Sequence, residues 1–329
     1  MPAGRILVTG GTGLTGSHLC ERLVIEGHRV RTIVRSERDV TFLHELGVEV
    51  IRGDIVDSDT ALRATADVET VFHLAALFRQ EAVSRRAFWD VNVRGTENLL
   101  RGADRQGVRR FIHCSTVGVH GDIERPPANE DAPYRPGDHY QESKMEGEKV
   151  ALAYMQESEM GVTIVRPSGI YGPRDSRLLK LFSAIQQGWF WMIGTGEVLY
   201  HLIYIDDLID GLLLCGSKDG AAGRIYILAG REFVALHGLV SLIAEALGVG
   251  VSRRRVPVWP VYAAAHLCEL VCIPFGLQPP LYRRRVDFFR KSRAFDISRA
   301  VRELGFSPRV DLRTGLRKTA EWYRDNGYL

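Results

Sequence analysis

The sequence is short of cysteine and of net charge, and each shortage excludes a class of protein. Its five cysteines are scattered, odd in number and without a Cys-x-x-Cys pair, which argues against a disulfide framework. Cys268 and Cys272 lie four residues apart without ligand partners nearby, so they are interpreted as packing side chains and no metal is expected. Lys and Arg number 43 against 40 Asp and Glu, a net charge of +3, so no nucleic acid is expected as a partner.

Long apolar runs are also missing, and a transmembrane helix is therefore not expected. The first residues lead directly into an apolar strand, which leaves no room for a signal peptide, so the expected location is the cytoplasm. The most apolar stretch, residues 256–275, is interrupted by proline, histidine and glutamate and flanked by two arginine clusters. The interruptions are Pro257, Pro260, His266, Glu269 and Pro274, and the clusters are Arg253–Arg255 and Arg283–Arg285. A peripheral membrane contact is one interpretation of this stretch, and a buried amphipathic helix is the favoured one.

Glycine, by contrast, is in mild excess, with 33 of 329 residues, and one group of glycines has a recognisable purpose. Residues 7–16 follow a predicted strand, open a predicted helix and space three glycines at intervals of three. Such glycines permit a tight turn, a close approach to a pyrophosphate and close packing of the helix on the sheet. The free N–H groups of the helix N-terminus then face the phosphates. A dinucleotide site is predicted, formed by Gly10, Thr12, Gly13, Leu14 and Gly16.

Strands and helices alternate through the N-terminal half. Strands are predicted at Arg5–Thr9, Arg29–Val34, Glu49–Ile51, Thr70–Leu74, Arg109–Cys114, Val162–Arg166, Tyr200–Tyr204 and Arg224–Leu228. Helices are predicted at Leu14–Glu26, Ala87–Gln106, Tyr140–Glu159, Ile297–Leu304 and Leu312–Asn326. This alternation with apolar strands predicts an α/β fold with a doubly wound, Rossmann-type parallel sheet. Residues 1–172 are predicted to form the nucleotide-binding domain, to which 199–229 returns, and 173–329 a smaller, mostly helical substrate domain.

The end of the second strand favours NADP(H) over NAD(H). An NAD site usually carries an acidic residue about 20 positions after the glycine loop, but Val34 occupies that place and Arg35 follows it. An arginine can pair with a 2′-phosphate. The alternative is that Arg35 is only a solvated surface charge.

The ends of the next two strands supply further cofactor candidates. Asp54, followed by Ile55, could accept a hydrogen bond from the adenine amino group, or could be an ordinary turn residue. Leu74, Ala75 and Ala76 end the fourth strand, and their small side chains would let the cofactor lie across the sheet edge.

Tyr140 and Lys144 form the clearest catalytic pattern. Four residues apart on a predicted helix, they share one face. A nearby ammonium favours the phenolate form of a tyrosine, which could then exchange a proton with a substrate alcohol. The spacing alone is common on helices, but together with the glycine loop it is specific.

With these motifs the sequence resembles the extended short-chain dehydrogenases/reductases over nearly its whole length. The resemblance implies that Thr116, within Cys114–Gly121, completes the active site, with Ser115 as the weaker candidate. It also implies that Tyr140 is the acid/base, that Lys144 lowers the tyrosine pKa and holds the nicotinamide ribose, and that Thr116 orients the substrate oxygen.

The resemblance extends to several other segments. Residues 166–173 match the loop that contacts nicotinamide, which adds Pro167 and Ile170 to the cofactor residues. Asn92 matches a further family motif and is placed on the cofactor side, although a structural role is the preferred explanation for it. A homodimer through the helices that contain Arg94–Gln106 and Tyr140–Glu159 is implied by the resemblance alone.

Three branches of the family share this scaffold, and the sequence favours simple oxidation or reduction. Dehydratases follow the catalytic Thr with Asp-Glu, where this chain has Val117 and Gly118. Nucleotide-sugar enzymes place an Asn at the position of Gly169 and an Arg near Tyr200, and both are missing here. The matching branch includes 3β-hydroxysteroid dehydrogenases and dihydroflavonol reductases, so the expected substrate is an apolar small molecule. A nucleotide-sugar epimerase is the alternative, and a cofactor-binding sensor without catalysis is the third.

Aromatic side chains supply the candidates for an apolar cleft. They are Phe78, Trp189, Phe190, Trp191 and Tyr200. Core packing is equally expected for each of them. The proposed substrate residues are Phe78, Thr116, Tyr140, Gly169 and Tyr200.

Overall fold

A computed structural model describes residues 4–36, 40–78, 83–252, 254–272, 275, 277 and 279–329 of the chain. Arg253 and Pro274, named above, lie outside the described residues, as does the side chain of Arg284. The strands are β1 (Arg5–Thr9), β2 (Arg29–Val34), β3 (Glu49–Arg52), β4 (Val68–His73), β5 (Arg110–Cys114), β6 (Gly161–Pro167), β7 (Gly169–Tyr171), β8 (Met192–Ile193), β9 (Leu199–Tyr204), β10 (Arg224–Leu228), β11 (Phe233–Ala235) and β12 (Arg255–Val256).

Most of the helices lie between these strands or follow them at the C-terminal end. They are α1 (Leu14–Ile25), α2 (Thr41–Glu45), α3 (Ser58–Thr65), α4 (Arg85–Trp89), α5 (Gly95–Arg105), α6 (His139–Glu157), α7 (Leu179–Gln186), α8 (Ile205–Ser217), α9 (Leu236–Leu247), α10 (Val258–Cys272), α11 (Arg283–Val286), α12 (Ser298–Leu304) and α13 (Leu312–Asp325). Aspartates cap several of them: Asp57 precedes α3, Asp138 precedes α6 and Asp311 precedes α13, each accepting a backbone N–H of the first turn.

Seven parallel strands form the central sheet, in the order β10-β6-β5-β4-β1-β2-β3. The chain proceeds from β1 outward to β3, then crosses to β4 on the other side of β1. This reversal opens a crevice at the carboxyl ends of β1 and β4, where Thr9 pairs with His73. The predicted doubly wound α/β fold is confirmed, and the strand order places a ligand site at that crevice.

Both faces of the sheet are covered, which is why its strands are nearly continuous apolar runs. On one face Leu19 of α1 and Leu208 of α8 belong to the buried core. On the other, Leu99 of α5 and Ala151 of α6 are fully buried. The two layers hold α1 and α6 against the sheet, and these two helices begin at the crevice.

The helix predicted at Ala87–Gln106 is divided in the structure. Between α4 and α5, residues Asp90–Arg94 form a π-helical turn, which adds one residue to the ring of each hydrogen bond. Gly95 follows at a tight contact, because a Cβ there would lie 2.7 Å from Ile55. Hydrophobic periodicity cannot reveal such a turn, since it changes the helical phase by only one residue.

Beyond the loop after β6, the chain builds two small sheets and most of the remaining helices. β11-β9-β7 and β12-β8 form these sheets, whereas β10 returns to the central one. Of the strands within residues 199–229, β9 thus belongs to a small sheet and β10 to the central one, and the predicted domain boundaries stay predictions.

The favoured interpretation of residues 256–275 as a buried helix is wrong. Within this stretch Val258–Cys272 form a helix, α10, but only Ala265 among its fifteen residues is buried. Among the described residues, none of the helices combines the length and apolar character needed to cross a membrane.

Candidate active site

A cavity of about 890 Å³ lies at the carboxyl ends of the central strands. The glycine loop after β1 forms one wall, and the segments that follow β4, β5 and β6 form a second. The third wall comes from the C-terminal part of the chain, with Tyr262, Glu269, Arg283, Asp287, Lys291, Arg293 and Phe295. The cavity therefore joins the sheet edge to the C-terminal part of the chain.

The glycine loop is shaped for a ligand that approaches the backbone closely. Gly10 has a φ of +77°, and a Cβ on Gly16 would lie 2.0 Å from the Gly10 carbonyl oxygen. The Gly13 N–H donates to that same oxygen at 2.9 Å. Among the described residues no side chain caps the start of α1 at Gly13, so its first N–H groups face the cavity. These features fit a pyrophosphate held by backbone N–H groups.

His73, at the end of β4, is a neutral imidazole that joins β1 to α5 through hydrogen bonds to Thr9 and Thr96. Thr96 Oγ1 donates to the Asn92 carbonyl oxygen at 2.8 Å and so accepts from His73 Nε2 at 2.9 Å. Thr9 Oγ1 accepts the Ala75 N–H at 3.1 Å and donates to His73 Nδ1 at 2.8 Å. Burial, with a smaller contribution from the nearby Lys144 charge, lowers the pKa of His73 to about 3.

Helix α6 carries the Tyr-x-x-x-Lys pair into the cavity wall. Tyr140 is 9% exposed, and Phe78 packs edge-on against its ring with 5.1 Å between centroids. Lys144 is buried and donates from Nζ to the Cys114 carbonyl oxygen at 2.7 Å. Burial lowers the pKa of Lys144 below its ordinary value. Both side chains line the cavity, as the spacing predicted.

The structure distinguishes Thr116 from Ser115, the two hydroxyls after β5. Ser115 is buried and donates to Glu148 Oε2 at 2.5 Å. Thr116 accepts the Gly118 N–H at 3.0 Å, which caps a short 3-10 turn and fixes the side chain at the cavity wall. Thr116 is therefore the better placed of the two to meet a substrate.

Sequence reasoning missed a buried ion pair behind the catalytic helix. The carboxylate of Glu148 is fully buried and pairs with Arg166 at 2.5 Å, while the Tyr134 hydroxyl donates to it at 2.7 Å. Burial opposes ionisation of Glu148, but the hydrogen bonds and charge of Arg166 outweigh it, so the pKa stays below its ordinary value. The sequence does place Glu148 on the same helix face, because it follows Lys144 by four residues, as Lys144 follows Tyr140.

The charged side chains of the cavity wall are largely paired with one another. The ion pairs are Arg283–Glu269 at 2.6 Å, Lys291–Asp287 at 3.0 Å and Arg177–Asp175 at 2.6 Å. Arg174, which also lines the cavity, pairs at 3.0 Å with Glu21, which does not. Arg293 donates to the Tyr200 hydroxyl at 3.0 Å. The positive charge at this end of the cavity is therefore mostly neutralised within the protein.

Thirteen of the predicted site residues line the cavity together. They are Gly10, Gly13, Leu14, Gly16, Leu74, Ala76, Phe78, Thr116, Tyr140, Lys144, Pro167, Gly169 and Ile170. Thr12 and Arg35 are exposed and lie outside the cavity wall. Ala75 is also outside the wall, because its backbone closes against Gly10.

Four other predicted site residues have structural contacts instead. Asp54 accepts the Val56 N–H at 3.1 Å, the ordinary turn interaction. Ile55 is buried in the core, and Asn92 bonds the Leu77 backbone and the Ser143 hydroxyl. The placement of Tyr200 in the substrate cleft is a wrong prediction, because its ring is buried against Phe288 with 4.8 Å between centroids.

The other aromatic candidates are divided between core and surface. Phe190 belongs to the core, whereas Trp189 and Trp191 are exposed and do not line the cavity. Phe78 is the aromatic candidate that does line it. The sequence could not show which of these aromatic side chains line the cavity, because that depends on how the C-terminal part of the chain packs against the segments that carry them.

Comparison with curated proteins places the chain among nicotinamide-dependent enzymes. It is 31% identical over 337 residues to the 3 beta-hydroxysteroid dehydrogenase/Delta 5-->4-isomerase of Mycobacterium tuberculosis, covering 97% of this chain and 90% of that protein. It is 32% identical over 322 residues to the 4-hydroxy-2-methyl-3-oxo-4-farnesyl-3,4-dihydroquinoline-1-oxide ketoreductase of Stigmatella aurantiaca, covering 95% and 94%.

A solved structure shares the whole architecture. The DesIV double mutant, a dTDP-glucose 4,6-dehydratase from Streptomyces venezuelae with NAD bound, superposes with a TM-score of 0.78 at 26% identity, covering 98% of this chain and 97% of that one. The family model for the NAD dependent epimerase/dehydratase family matches residues 6–229. The resemblance to extended short-chain dehydrogenases/reductases is thereby confirmed, and the chain belongs to the NAD dependent epimerase/dehydratase family.

Proposed function

We propose that this protein is an NADP(H)-dependent oxidoreductase that acts on a secondary alcohol, or its ketone, in an apolar small molecule. One observation carries the proposal: Thr116, Tyr140 and Lys144 line the same cavity as the glycine loop. Val117 and Gly118 follow Thr116 in place of the carboxylates that a dehydration would use as acid and base.

The residues at the sheet edge fit a nicotinamide dinucleotide. Gly10, Gly13 and Gly16 line the cavity and would hold its pyrophosphate, in a loop so tight that a Cβ on Gly16 would lie 2.0 Å from the Gly10 carbonyl oxygen. Pro167 and Ile170 line the cavity near the catalytic helix and would hold the nicotinamide end. When bound, the cofactor supplies or accepts the hydride.

Proton transfer is assigned to Tyr140. Its hydroxyl gives a proton to the substrate oxygen in reduction and takes it back in oxidation. Lys144 is held by the Cys114 carbonyl, and its ammonium favours the phenolate of Tyr140. Thr116, fixed by the Gly118 N–H, orients the substrate oxygen.

The cavity walls favour an apolar substrate over a nucleotide sugar. Leu74, Phe78, Val117, Ile170 and Phe295 contribute apolar surface. A diphosphate would have to compete for cations that already pair with Glu269, Asp287 and Asp175. The activities for which the two relatives are named, those of a steroid dehydrogenase and a farnesyl-quinoline ketoreductase, support the same substrate class.

The NADP preference rests on the end of β2. Val34 is buried and carries no carboxylate to bond the ribose hydroxyls, and Arg35 is exposed beside it. An exposed guanidinium after β2, the strand that pairs with β1, could reach a 2′-phosphate at the edge of the cavity.

Nucleotide-sugar epimerisation is the second candidate. It is favoured by Arg293, which lines the cavity and donates to the neutral Tyr200 hydroxyl, and by the overall likeness to a sugar-nucleotide enzyme.

Turnover assays distinguish the two functions. The purified protein is incubated with NADPH and a panel of apolar ketones that includes 3-ketosteroids and prenylated quinolones, and separately with UDP-hexoses. The proposal expects net oxidation of NADPH with an apolar ketone, and a loss of at least about a hundredfold in kcat for Tyr140→Phe with unchanged binding of NADPH. Interconversion of UDP-hexoses without net redox would replace the proposal with the epimerase.

A further inference from the structure

Helix α10 has two faces with opposite roles. Tyr262 and Glu269 lie on the face that lines the cavity, and Ala265 between them is the one buried residue of the helix. Trp259, Leu267 and Leu270 share another face of the helix, because Leu267 follows Trp259 by eight residues and Leu270 follows Leu267 by three. That face is solvent-exposed, with Trp259 at 75%, Leu267 at 61% and Leu270 at 63%.

The exposed face is unusually apolar for a helix at a protein surface. Surface helices normally present charged residues to water, but α10 has a single residue of the types Asp, Glu, Lys and Arg, and this residue, Glu269, is on the cavity face and pairs with Arg283. Val271 is 54% exposed, and Phe275 and Leu277 continue the apolar surface at 77% and 62%. Trp259, Leu267, Leu270, Val271, Phe275 and Leu277 are here named the α10 surface. Apolar patches of this kind mark interaction sites.

Positive charge is concentrated around this surface. Residues 251–293 contain nine Lys or Arg and two Asp or Glu, a net charge of +7. Because the whole chain carries +3, the rest of the molecule carries −4. Among the described side chains of the segment, Arg254, Arg255 and Arg285 are exposed, and Arg290, also exposed, stacks over Tyr262 on the cavity side of α10. An apolar face within a basic rim is complementary to an anionic surface with an apolar interior.

Tryptophans also lie at the edge of the α10 surface. β8 pairs with β12 immediately before α10, and Trp191 lies just before β8 with the Arg254 guanidinium 5.6 Å from its ring centroid. Trp189, two residues earlier, is 77% exposed. Tryptophan is the side chain favoured at the boundary between lipid headgroups and acyl chains.

We propose that the α10 surface docks this protein on an anionic lipid bilayer, with α10 lying in the plane of the membrane at the headgroup boundary. At fifteen residues the helix is about 22 Å long, shorter than the hydrocarbon core of roughly 30 Å. It therefore rests on one leaflet and does not span. Apolar side chains enter the leaflet while arginines contact anionic headgroups.

Docking in this orientation has a consequence for substrate access. Tyr262 and Glu269 line the cavity from the same helix that contacts the lipid, so the cavity wall adjoins the membrane. An apolar substrate dissolved in the leaflet would reach the site without crossing water. This delivery rests on the proposed function, whereas the docking itself does not.

Vesicle flotation tests the docking without any substrate. The full-length protein is mixed with phosphatidylcholine vesicles, with or without phosphatidylglycerol, at physiological ionic strength. We expect it to float with the anionic vesicles, to be released by high salt, and to lose at least about tenfold in partition constant in Leu267→Glu/Leu270→Glu. The matched control is Ile25→Glu/Val301→Glu, at two exposed apolar residues on α1 and α12, which should float as the unmodified protein does.

Three outcomes would overturn the docking. One is absence of the unmodified protein from both kinds of vesicle, and another is undiminished flotation of Leu267→Glu/Leu270→Glu. The third is a dimer in light scattering that this double variant converts to a monomer without any vesicle binding, which would assign the surface to a second copy of the chain. Quenching of tryptophan fluorescence by brominated acyl chains gives a readout on the unmodified protein and does not depend on how a variant folds.

The basic rim is tested separately. Arg254→Gln/Arg255→Gln should weaken flotation with anionic vesicles and reduce its salt dependence, because two cations near the headgroups are removed. Arg101→Gln/Arg105→Gln on α5 removes the same charge from the opposite half of the sequence and serves as the control. Equal effects of the two double variants would contradict docking through the α10 surface.

Discussion

Adjacent residues with the same functional group have different surroundings in this site. Ser115 and Thr116 both carry a hydroxyl after β5 and both line the cavity, yet Ser115 donates to buried Glu148 whereas Thr116 accepts the Gly118 N–H. Tyr140 and Lys144 could be predicted from spacing because a helix has a fixed periodicity. The two hydroxyls could be ranked only by family resemblance, since no local rule fixes which one bonds a buried carboxylate.

Gly16 tests the backbone contact of the phosphate loop. Gly16→Ala should destroy cofactor binding, because a Cβ would lie 2.0 Å from the Gly10 carbonyl oxygen and the loop would have to open. Titration with NADPH, followed by nicotinamide fluorescence, measures the effect. Gly238→Ala is the control: the nearest atom to its Cβ would be 3.9 Å away on Val234, so binding should be unchanged and stability equal or slightly higher. Normal binding by Gly16→Ala would refute the assigned loop.

Arg35 tests the cofactor preference. Arg35→Ala should raise the Kd for NADP about tenfold to a hundredfold, since a charge-assisted hydrogen bond contributes about 1.5–3 kcal/mol. The Kd for NAD should change little, because NAD carries no 2′-phosphate. Isothermal titration with both cofactors measures the two constants, and Arg101→Ala on α5 controls for the loss of one surface charge. An unaltered ratio of the two constants would contradict the assignment.

Helix α6 is positioned by contacts along its whole catalytic face. Gly147 lets it approach the π-helical turn closely, because a Cβ there would lie 2.2 Å from the Asn92 carbonyl oxygen. Glu148 joins it to Arg166 on β6 and to Ser115 after β5. Burial of this face explains why the helix begins and stays where Tyr140 and Lys144 meet the cavity.

Glu148→Gln tests that attachment. The amide leaves the Arg166 guanidinium buried without an opposing charge, so the free energy of unfolding should fall by about 3–5 kcal/mol. Denaturant titration followed by circular dichroism measures the loss. Lys149→Gln, at the next residue on α6, breaks only an exposed pair with Glu146 and should change stability by less than about 1 kcal/mol. Equal losses in the two variants would show that the buried pair contributes no more than an exposed one.

The crevice and the buried environment of the groups around it exist only when the whole chain is folded. His73 is neutral in the fold because burial lowers its pKa to about 3, whereas an unfolded histidine titrates near 6.5. The unfolded chain therefore binds the additional proton below about pH 6.5, and stability falls as the pH falls toward the folded-state pKa. Burial lowers the pKa of His113 in the same direction.

The expected size of this effect is about 2 kcal/mol for His73 between pH 7 and pH 5. Urea titrations at a series of pH values measure it. His73→Asn should lower the free energy of unfolding at pH 7. It should also make the loss of stability between pH 7 and pH 5 smaller by about 2 kcal/mol, because the variant lacks the titrating imidazole. An equal slope in both proteins would show that His73 is not the titrating group.

The central sheet could be predicted from sequence because its strands are apolar on both faces and bounded by turns. Arg5–Thr9, Arg29–Val34 and Arg224–Leu228 have the predicted bounds, and the other predicted strands of the central sheet differ by one or two residues at one or both ends. The π-helical turn at Asp90–Arg94 was missed because it does not interrupt the periodicity. The exposure of α10 was missed because apolar composition alone suggests burial.

The glycine loop, the Tyr140–Lys144 face and the family resemblance can be derived from the sequence, since each depends on motifs spaced within short segments. Which residues share the cavity depends on where distant elements meet, so it can be read only from the fold. It moved Tyr200 into the core, engaged Ser115 with Glu148, and turned the apolar face of α10 toward solvent. Whether a side chain is buried is a property of the neighbours that the fold supplies.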